Sequence, residues 1–330
     1  MKDIDLYGLG NGLVDLQYQI SDEAIREIGL KKGEMRLVEN IDQTALLKAL
    51  EGKSRNTCSG GSGANTIIGF AGFGGKASYT TVLGNDALGK FYKDEFKQMG
   101  IDLYAPMWES EPTGTCCVLI SPDGERTMNT SLAATAHLAP EHVNEEWIKR
   151  SKWLYLEGYK FTHELSTEAL FRAAELAKKH DTKIAITFSD VFITETFHVQ
   201  LERAVKMCDL VFCNEAEAQS FTGEKTTNAA FRRLCEMVPN VVVTLGKKGS
   251  MIMWNNEVIE IPCYPATAVD STGAGDMYAA GFFYGIIKLN SAKLAGHLAS
   301  YASSRVVSQL GARLHENHTE IRDKIIETIK

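Results

Sequence analysis

The chain has 330 residues, a formal net charge of −7, and 44% hydrophobic and 23% charged residues. Such a length can bury one large α/β core, alone or with a small cap. Because the acidic balance comes without a long basic run, we expect no nucleic acid and no membrane as partners, and any phosphate binding must be local. No apolar run approaches the ~20 residues of a membrane span.

The seven cysteines include no Cys-x-x-Cys pair. Cys116 and Cys117 are sequence neighbours in a predicted strand. This usage is typical of buried thiols in a reducing compartment. Because the first residues, 1–5, also lack the pattern of a signal peptide, we expect a cytoplasmic protein.

Apolar runs alternate with amphipathic segments along most of the chain. Strands are predicted at 4–10, 77–83, 153–156, 183–188, 210–213 and 241–245. Helices are predicted at 86–99, 166–179, 196–207, 215–221, 227–237, 274–288, 291–308 and 317–329. Continuous apolar strands separated by helices predict an α/β fold of the Rossmann-type sandwich class, with a mostly parallel central sheet flanked by helices.

A second kind of strand appears early in the chain. Residues 13–20 alternate apolar and polar side chains, as does part of 115–128, which is typical of half-exposed strands. We therefore expect a small β lid, formed by segments near 12–20, 33–40 and 103–131. No linker or repeat interrupts the chain, so 1–330 is expected to be a single domain.

The first glycine cluster, Gly8-Leu-Gly10-Asn11-Gly12, follows a strand. It fails the dinucleotide-binding fingerprint, because Leu13 stands at the third glycine position and the next segment alternates like a strand. This disfavours a nicotinamide-dependent oxidoreductase. Asp15 lies in this alternating segment. It is either a solvated acid or a side chain on the inner face of the lid that binds hydroxyl groups of a ligand.

The second cluster runs from Ser59 through Gly60 and Gly61 to Asn65 and opens an apolar helix. Bare backbone lets a ligand approach closely, and an asparagine amide offers a diol both a donor and an acceptor. An ordinary glycine turn with an Asn in the first helical turn explains the same residues equally well.

The third cluster, Gly273-Ala274-Gly275-Asp276, stands at the start of the apolar helix 274–288. Free N–H groups at a helix start bind negatively charged oxygens, and a carboxylate stands beside them. This combination is what phosphoryl transfer to an alcohol requires. A plain glycine turn with an acid in the first helical turn remains the alternative.

Two further segments lie at strand ends, where open α/β sheets bind ligands. Asn214 and Glu217 are one turn apart and suit a hydrated Mg²⁺, which takes few protein ligands. They also suit a helix cap, with Asn at the cap and Glu three residues on. The other segment is the polar loop after strand 241–245, with Thr244, Gly246 and Gly249.

In this order and spacing, these motifs resemble the ribokinase-like (PfkB) family of carbohydrate and nucleoside kinases. The resemblance spans essentially the whole chain and is greatest to the adenosine kinase branch, through Gly10-Asn11-Gly-Leu-Val-Asp15, Pro112-Thr-Gly-Thr-Cys116 and Gly124-Glu-Arg126-Thr. It implies a ribokinase-like fold and an ATP- and Mg²⁺-dependent kinase. A requirement for a monovalent cation such as K⁺ is left open.

The resemblance also implies roles for individual residues. Asp276 would be the general base, with the N–H groups of 273–276 as an anion hole and Arg126 closing with the lid onto the γ-phosphate. Asn214 and Glu217 would hold Mg²⁺ through water. ATP would contact Thr244, Gly246, Gly249, Gly273 and Gly275. The acceptor would contact Asn11, Asp15, Gly60, Gly61 and Asn65, with an apolar lid face of Met35, Leu37, Met128 and Leu132.

Choice of acceptor is the open point. The apolar lid face favours the 5′-hydroxyl of adenosine, but Lys160 stands where the adenosine kinase pattern has an aromatic residue. If Lys160 points into the pocket, it favours a more polar acceptor, such as ribose, fructose or a related sugar. A binding protein without catalysis is disfavoured because Asp276 is present. The expected assembly is a monomer or a homodimer through the lid.

Overall fold

The computed structural model describes residues 2–329. Its main feature is a nine-stranded sheet with the order β16-β15-β14-β13-β12-β11-β1-β5-β7, in which only the pairs β14–β15 and β15–β16 are antiparallel. The strands of all sheets are β1 Ile4–Leu9, β2 Leu13–Gln19, β3 Met35–Leu37, β4 Arg55–Gly60, β5 Ala77–Thr80, β6 Leu83–Gly84, β7 Asp102–Tyr104, β8 Met107–Trp108, β9 Gly114–Ile120, β10 Arg126–Ser131, β11 Ser151–Glu157, β12 Lys183–Thr187, β13 Leu210–Asn214, β14 Asn240–Thr244, β15 Ser250–Trp254 and β16 Glu257–Ile261. The predicted mostly parallel sheet is confirmed.

Several helices begin at a residue whose side chain caps the first N–H groups. Asp86, Thr226 and Ser291 each accept a hydrogen bond from the backbone three residues on, which stabilises a helix by roughly 1 kcal/mol. The helices are α1 Asp22–Glu27, α2 Asn40–Ala49, α3 Ser62–Gly72, α4 Ala87–Gln98, α5 Glu145–Arg150, α6 Glu164–Lys179, α7 Val191–Thr196, α8 His198–Val205, α9 Glu215–Thr222, α10 Thr227–Met237, α11 Ala274–Lys288, α12 Ala292–Val307 and α13 His318–Ile329.

The large sheet is buried on both faces. In β14, Val241 and Val243 belong to one core and Val242 to the other, since successive side chains of a strand point to opposite faces. The first core packs under α3, α11 and α12 and the second under α6, α8 and α10. Two covered faces explain why these strands read as continuous apolar runs.

A smaller five-stranded sheet has the order β3-β10-β9-β2-β4 and is called the small sheet below. Val14 and Leu16 of β2 pack on its outer face in one cluster with Ile25 of α1 and Leu46 of α2. Asp15 lies between them and points to the inner face. The alternation along β2 thus reflects one face covered by helices and one face turned toward a cavity.

Three boundaries differ from those expected for the lid. Residues 55–60 form β4 of the small sheet, which the sequence did not indicate because this edge strand is mostly polar. Residues 102–104 instead pair with β5 in the large sheet, and 107–108 pair with β6. The segment near 33–40 contributes only three strand residues, because Asn40 already begins α2.

The carboxyl ends of β1 and β11 meet at the switch point of the large sheet. Here β1 pairs with β5, the next strand of this sheet in the chain, on one side and with β11 on the other. Open α/β sheets bind ligands in the crevice at such a point. The small sheet lies over this crevice, and a cavity opens between the two sheets. Among residues 2–329, no helix is both long and apolar enough to cross a bilayer.

Candidate active site

A cavity of about 340 Å³ lies between the carboxyl ends of the large sheet and the inner face of the small sheet. Most of the predicted site residues line it. These are Asn11, Asp15, Met35, Leu37, Gly61, Asn65, Arg126, Met128, Leu132, Asn214, Glu217, Gly273, Gly275 and Asp276. Residues that are up to 265 positions apart in the sequence therefore share one cavity.

Asp276 lies in the first turn of α11 and is held by two donors from α3. Its Oδ1 accepts a hydrogen bond from Ser62 Oγ at 2.6 Å, and its Oδ2 accepts one from Asn65 Nδ2 at 3.2 Å. Burial raises the pKa of Asp276 to about 7, and these two hydrogen bonds oppose that rise. A carboxyl group with a pKa near neutrality is suited to accept a proton from an alcohol.

The turn before Asp276 exposes backbone to the cavity. Gly273 has a left-handed backbone conformation, φ 74°, and a Cβ there would lie 2.5 Å from the Ala312 carbonyl oxygen. At Gly275 a Cβ would meet no atom within 4 Å, so this position opens onto free space. The N–H of Ala274 donates to the carbonyl oxygen of Ser271, which leaves the N–H groups of Gly275 and Asp276 at the start of α11 for an anion.

Arg126, on strand β10 of the small sheet, is joined to the segment that leads into this turn. Its Nη1 lies 2.5 Å from Asp270 Oδ2, and its side chain is only 7% exposed. Asp270 also accepts hydrogen bonds from the N–H groups of Thr272 and Gly311. The guanidinium therefore links the small sheet to the start of α11, and it lines the cavity while doing so.

Glycines are needed where the loop from Gly60 to Gly61 passes close to Asp15 and Asn11. At Gly60 a Cβ would lie 2.7 Å from Asp15 Oδ2, and at Gly61, where φ is 104°, it would lie 2.2 Å from the carbonyl oxygen of Asn11. Burial raises the pKa of Asp15 to about 6, and the positive charges of Arg126 and Arg313 oppose this rise. Asn65 keeps a buried Oδ1 without a partner, so one acceptor remains for a ligand hydroxyl.

A buried network lies beside this wall. Asn11 Nδ2 donates to Glu157 Oε1 at 2.8 Å, and Lys160 Nζ donates to Asn11 Oδ1 at 3.0 Å. Lys160 also donates to the carbonyl oxygen of Thr135 at 2.6 Å and is 2% exposed. Its ammonium thus points at Asn11 and Thr135, and Lys160 is absent from the cavity lining. Lys160 therefore does not point into the cavity, and it gives no reason to disfavour an apolar acceptor.

Asn214 and Glu217 form a reciprocal helix cap at the start of α9. Asn214 Oδ1 accepts from the Glu217 N–H, while Glu217 accepts from the N–H and Nδ2 of Asn214. Burial raises the pKa of Glu217 to about 7, and repulsion by Asp190 and Asp276 adds to the rise. Carboxylates in such surroundings fit a divalent cation that keeps most of its water. In the described part of the chain, no three acidic, His or Cys side chains form a complete metal cage.

The inner face of the small sheet carries Asp15, Arg126 and, beside them, an apolar wall that lines the cavity. This wall consists of side chains from four strands of the small sheet, namely Leu13, Met35, Leu37, Val118 and Met128, with Leu132 just beyond β10. Met35 and Leu37 are 48% and 53% exposed. Exposed apolar side chains on the rim of a cavity are available to a flat apolar ligand.

Five of the predicted residues are absent from the cavity lining. Gly60 lies against the Asp15 carboxylate, and Ala274 is the first residue of α11. Thr244, Gly246 and Gly249 lie one strand farther along the sheet, where Thr244 pairs with Asn214. They border the same edge of the sheet as the cavity.

The lining also includes residues that sequence reasoning missed, chiefly Ser62, Glu157, Tyr159 and Ser189. Glu157 directly follows the apolar run 153–156, and an acid at the end of a buried strand is a readable signal. Ser189 has φ 72°, and backbone strain of this kind is common at functional sites. No sequence signal marks Ser189.

Comparison with known proteins agrees with this geometry. Residues 34–319 match the model of the pfkB family of carbohydrate kinases. The chain is 24% identical to adenosine kinase of Saccharomyces cerevisiae, over 92% of this chain and 94% of that protein. Two solved structures align over 98% of this chain and 99% of theirs. One is adenosine kinase from Sinorhizobium meliloti, with a TM-score of 0.89 and 30% identity, and the other is a probable sugar kinase from Rhizobium etli, with 0.90 and 29%.

The chain belongs to the pfkB family of carbohydrate kinases. It has the ribokinase-like α/β fold and is a phosphotransferase that acts on an alcohol group. Membership implies ATP as the phosphoryl donor, typically with Mg²⁺. The relatives include both adenosine kinases and sugar kinases, so the acceptor requires a separate argument.

Proposed function

We propose that the protein transfers the γ-phosphoryl group of ATP to the 5′-hydroxyl of adenosine, giving AMP. The observation that carries this proposal is the apolar wall formed by Met35, Leu37, Met128 and Leu132 with its neighbours, opposite the polar wall around Asp276. A nucleoside has a flat base that suits the apolar wall and a hydroxylated ribose that suits the polar wall. A free pentose would leave the apolar side chains uncovered.

In the proposed reaction Asp276 takes the proton of the acceptor hydroxyl, and the free N–H groups among residues 273–276 stabilise the charge on the transferring group. Arg126 adds positive charge on the side of the small sheet. Asp15, Asn65 and the backbone at 60–61 hold the ribose hydroxyls, together with Asn11. The unpartnered Oδ1 of Asn65 supports this assignment, because a buried acceptor without a donor is costly.

ATP would lie along the edge formed by the ends of β13 and β14, against Thr244, Gly246 and Gly249. Glu217, supported by Asn214, would hold Mg²⁺ through water, and the metal would supply charge neutralisation for the triphosphate. The negative charges of Asp190 and Asp276 near Glu217 support this placement, since a cation offsets the repulsion among these carboxylates.

A sugar kinase is the second candidate, with ribose or fructose as the acceptor. The polar wall would bind a free sugar by the same hydrogen bonds, and the Rhizobium etli structure is described as a probable sugar kinase.

We assign the protein to the cytoplasm, in line with its seven cysteines, which are free thiols in the structure.

The deciding experiment is an ADP-release assay with adenosine, inosine, ribose and fructose. Stacking of a base on side chains is worth about 1–3 kcal/mol, so adenosine should exceed ribose in kcat/KM by roughly 5- to 150-fold. The Asp276→Asn protein controls for contaminating kinases. A clear lead for a free sugar would reject adenosine and favour the second candidate.

A further inference from the structure

The side-chain amide of Asn11 is held between two charged groups that the catalytic scheme does not use. Asn11 is 3% exposed at the end of β1, where Leu9 pairs with Leu156 of β11. Glu157 and Lys160 follow on β11 and the turn after it. Their contacts with Asn11 are therefore a direct consequence of the pairing of β1 with β11.

These two charged groups determine which way the amide faces. An ammonium can only donate hydrogen bonds and an ionised carboxylate can only accept them. Lys160 Nζ lies 3.0 Å from Asn11 Oδ1, and Glu157 Oε1 lies 2.8 Å from Asn11 Nδ2. Rotating the amide by 180° would set a donor against the ammonium and an acceptor against the carboxylate. Only one orientation satisfies both neighbours.

The Glu157 carboxylate acts only as an acceptor toward Asn11 and its neighbours. Its Oε2 accepts from the N–H groups of Asn11 at 3.1 Å and Gly63 at 2.8 Å. Cβ atoms at Gly10 or Gly63 would lie within 2.7 Å of that same oxygen, so two glycines make room for the carboxylate. Burial raises the pKa of Glu157 and lowers that of Lys160, and the attraction between the two groups opposes both shifts.

Lys160 is tied at its other side to the segment after the small sheet. It donates to the carbonyl oxygen of Thr135, and Thr135 Oγ1 accepts from the N–H of Gly12 at 2.9 Å. The ammonium therefore joins the end of β1 to residues that follow β10. A phenylalanine side chain at position 160 could make none of these hydrogen bonds.

We propose that Lys160 is a positioning residue of the acceptor site. Together with Glu157 it locks the Asn11 amide in one orientation, so that the cavity wall presents a fixed hydrogen-bonding pattern to an acceptor that carries several hydroxyl groups, such as a ribosyl group. This inference rests on the proposed function, because it concerns the pocket for the acceptor. Lys160 itself need not touch the acceptor.

The test is Lys160→Met, which keeps the length and apolar stem of the side chain and removes the ammonium. Loss of one well-placed hydrogen bond should raise the KM for the acceptor about tenfold, while kcat and the KM for ATP change less than about threefold. Lys206→Met is the matched control, because Lys206 is exposed on the surface and pairs with Glu202 of α8. If the methionine variant does not fold, Lys160→Gln replaces it, since an amide can donate or accept and so no longer fixes the orientation.

The same substitution, made in the Asn11→Ala protein, separates a positioning role of Lys160 from general destabilisation. In Asn11→Ala, the Lys160→Met change should have no further effect on the KM for the acceptor. An equal additional rise in that background, or an unchanged KM in Lys160→Met alone, would overturn the inference.

Acceptor affinity is also measured by calorimetry without ATP, so the result can be read even if no phosphoryl transfer occurs. Wild-type turnover with an unchanged Kd in Lys160→Met would reject the role of Lys160 and leave the kinase function standing. Binding of adenosine without turnover would reject the kinase function, and a tenfold weaker Kd in Lys160→Met would still support the positioning role.

Discussion

The carboxyl group of Asp276 combines burial with two hydrogen bonds, from Ser62 and Asn65. Neither donor is near it in the sequence, and both lie in the first turn of α3. The packing of α3 against α11 thus decides the properties of the predicted base. Three predictions concern single residues of this site.

Replacing the proposed base should abolish most turnover without loss of binding. Asp276→Asn keeps the size of the side chain and one acceptor oxygen but cannot accept the proton. We expect kcat to fall by a factor of about 10² to 10⁴, with the KM for ATP little changed, in steady-state ADP-release assays. Glu236→Gln, on the exposed surface of α10, is the control. Near-wild-type turnover in Asp276→Asn would contradict the assignment.

The pH dependence should follow the raised pKa of Asp276. A base must be ionised, so kcat/KM should fall as the pH drops through about 7 and be constant above it. Ser62→Ala removes a hydrogen bond that lowers this pKa, and it should shift the acidic limb to higher pH. Because the pKa of Glu217 is also raised to about 7, the profile is repeated in Glu217→Gln. If the fall of kcat/KM at low pH disappears in Glu217→Gln, it reflects the ionisation of Glu217 and not that of Asp276.

The metal proposal makes a distinct prediction for Glu217. Glu217→Gln should raise the Mg²⁺ concentration for half-maximal rate by about 10- to 100-fold, the range for groups that act on a metal through its surroundings. The measurement is a Mg²⁺ titration at fixed ATP. If the variant is only less thermostable and its Mg²⁺ dependence is unchanged, the pair Asn214 and Glu217 serves as a helix cap alone.

At the scale of elements, the small sheet contributes the apolar wall and one ion pair to the cavity. Arg126 of β10 reaches Asp270 just before α11, and this contact bridges the small sheet and the candidate anion hole. The expectation that the small sheet closes over the acceptor as a lid therefore has a specific residue to test. Closure would exclude water and protect ATP from hydrolysis.

Arg126→Ala should lower kcat more than it weakens acceptor binding. Removal of one group that stabilises the transition state typically costs about 10²- to 10³-fold in kcat, and we expect the KM for the acceptor to change only a few-fold. Arg55→Ala is the control, since Arg55 lies on β4 of the same sheet outside this cavity. A loss of acceptor affinity with kcat intact would contradict this role.

At the scale of the whole molecule, the outer face of the small sheet bears on assembly. Val14 and Leu16 on that face pack against Ile25 and Leu46 of α1 and α2. Because the chain covers this apolar face itself, dimerisation through the sheet is not needed to bury it. We therefore expect a monomer of 36.4 kDa by size-exclusion chromatography with light scattering. A stable dimer at micromolar concentration would contradict this expectation.

Much of the fold was predictable because its signals are local. The apolar run 241–245 and the amphipathic segment 86–99 each carry their periodicity within a few residues, and both elements formed close to their expected bounds. Strand β4 was not predictable, because its polar side chains show no alternation and its pairing with β2 decides its conformation. In the segment near 33–40, strand β3 ends at Leu37 because α2 begins at Asn40.

The sequence by itself determined the alternation of strands and helices, the glycine turns at 60–61 and 273–275, and the acid that follows the second of them. These depend on backbone freedom and on periodicity, which act over one or two turns of chain. Only the tertiary structure decided which side chains meet. Ser62 and Asp276 are 214 residues apart, Arg126 and Asp270 are 144 apart, and Lys160 turned toward Asn11 because β1 and β11 are neighbours in the sheet. Strand order brings these groups together, and no local pattern encodes strand order.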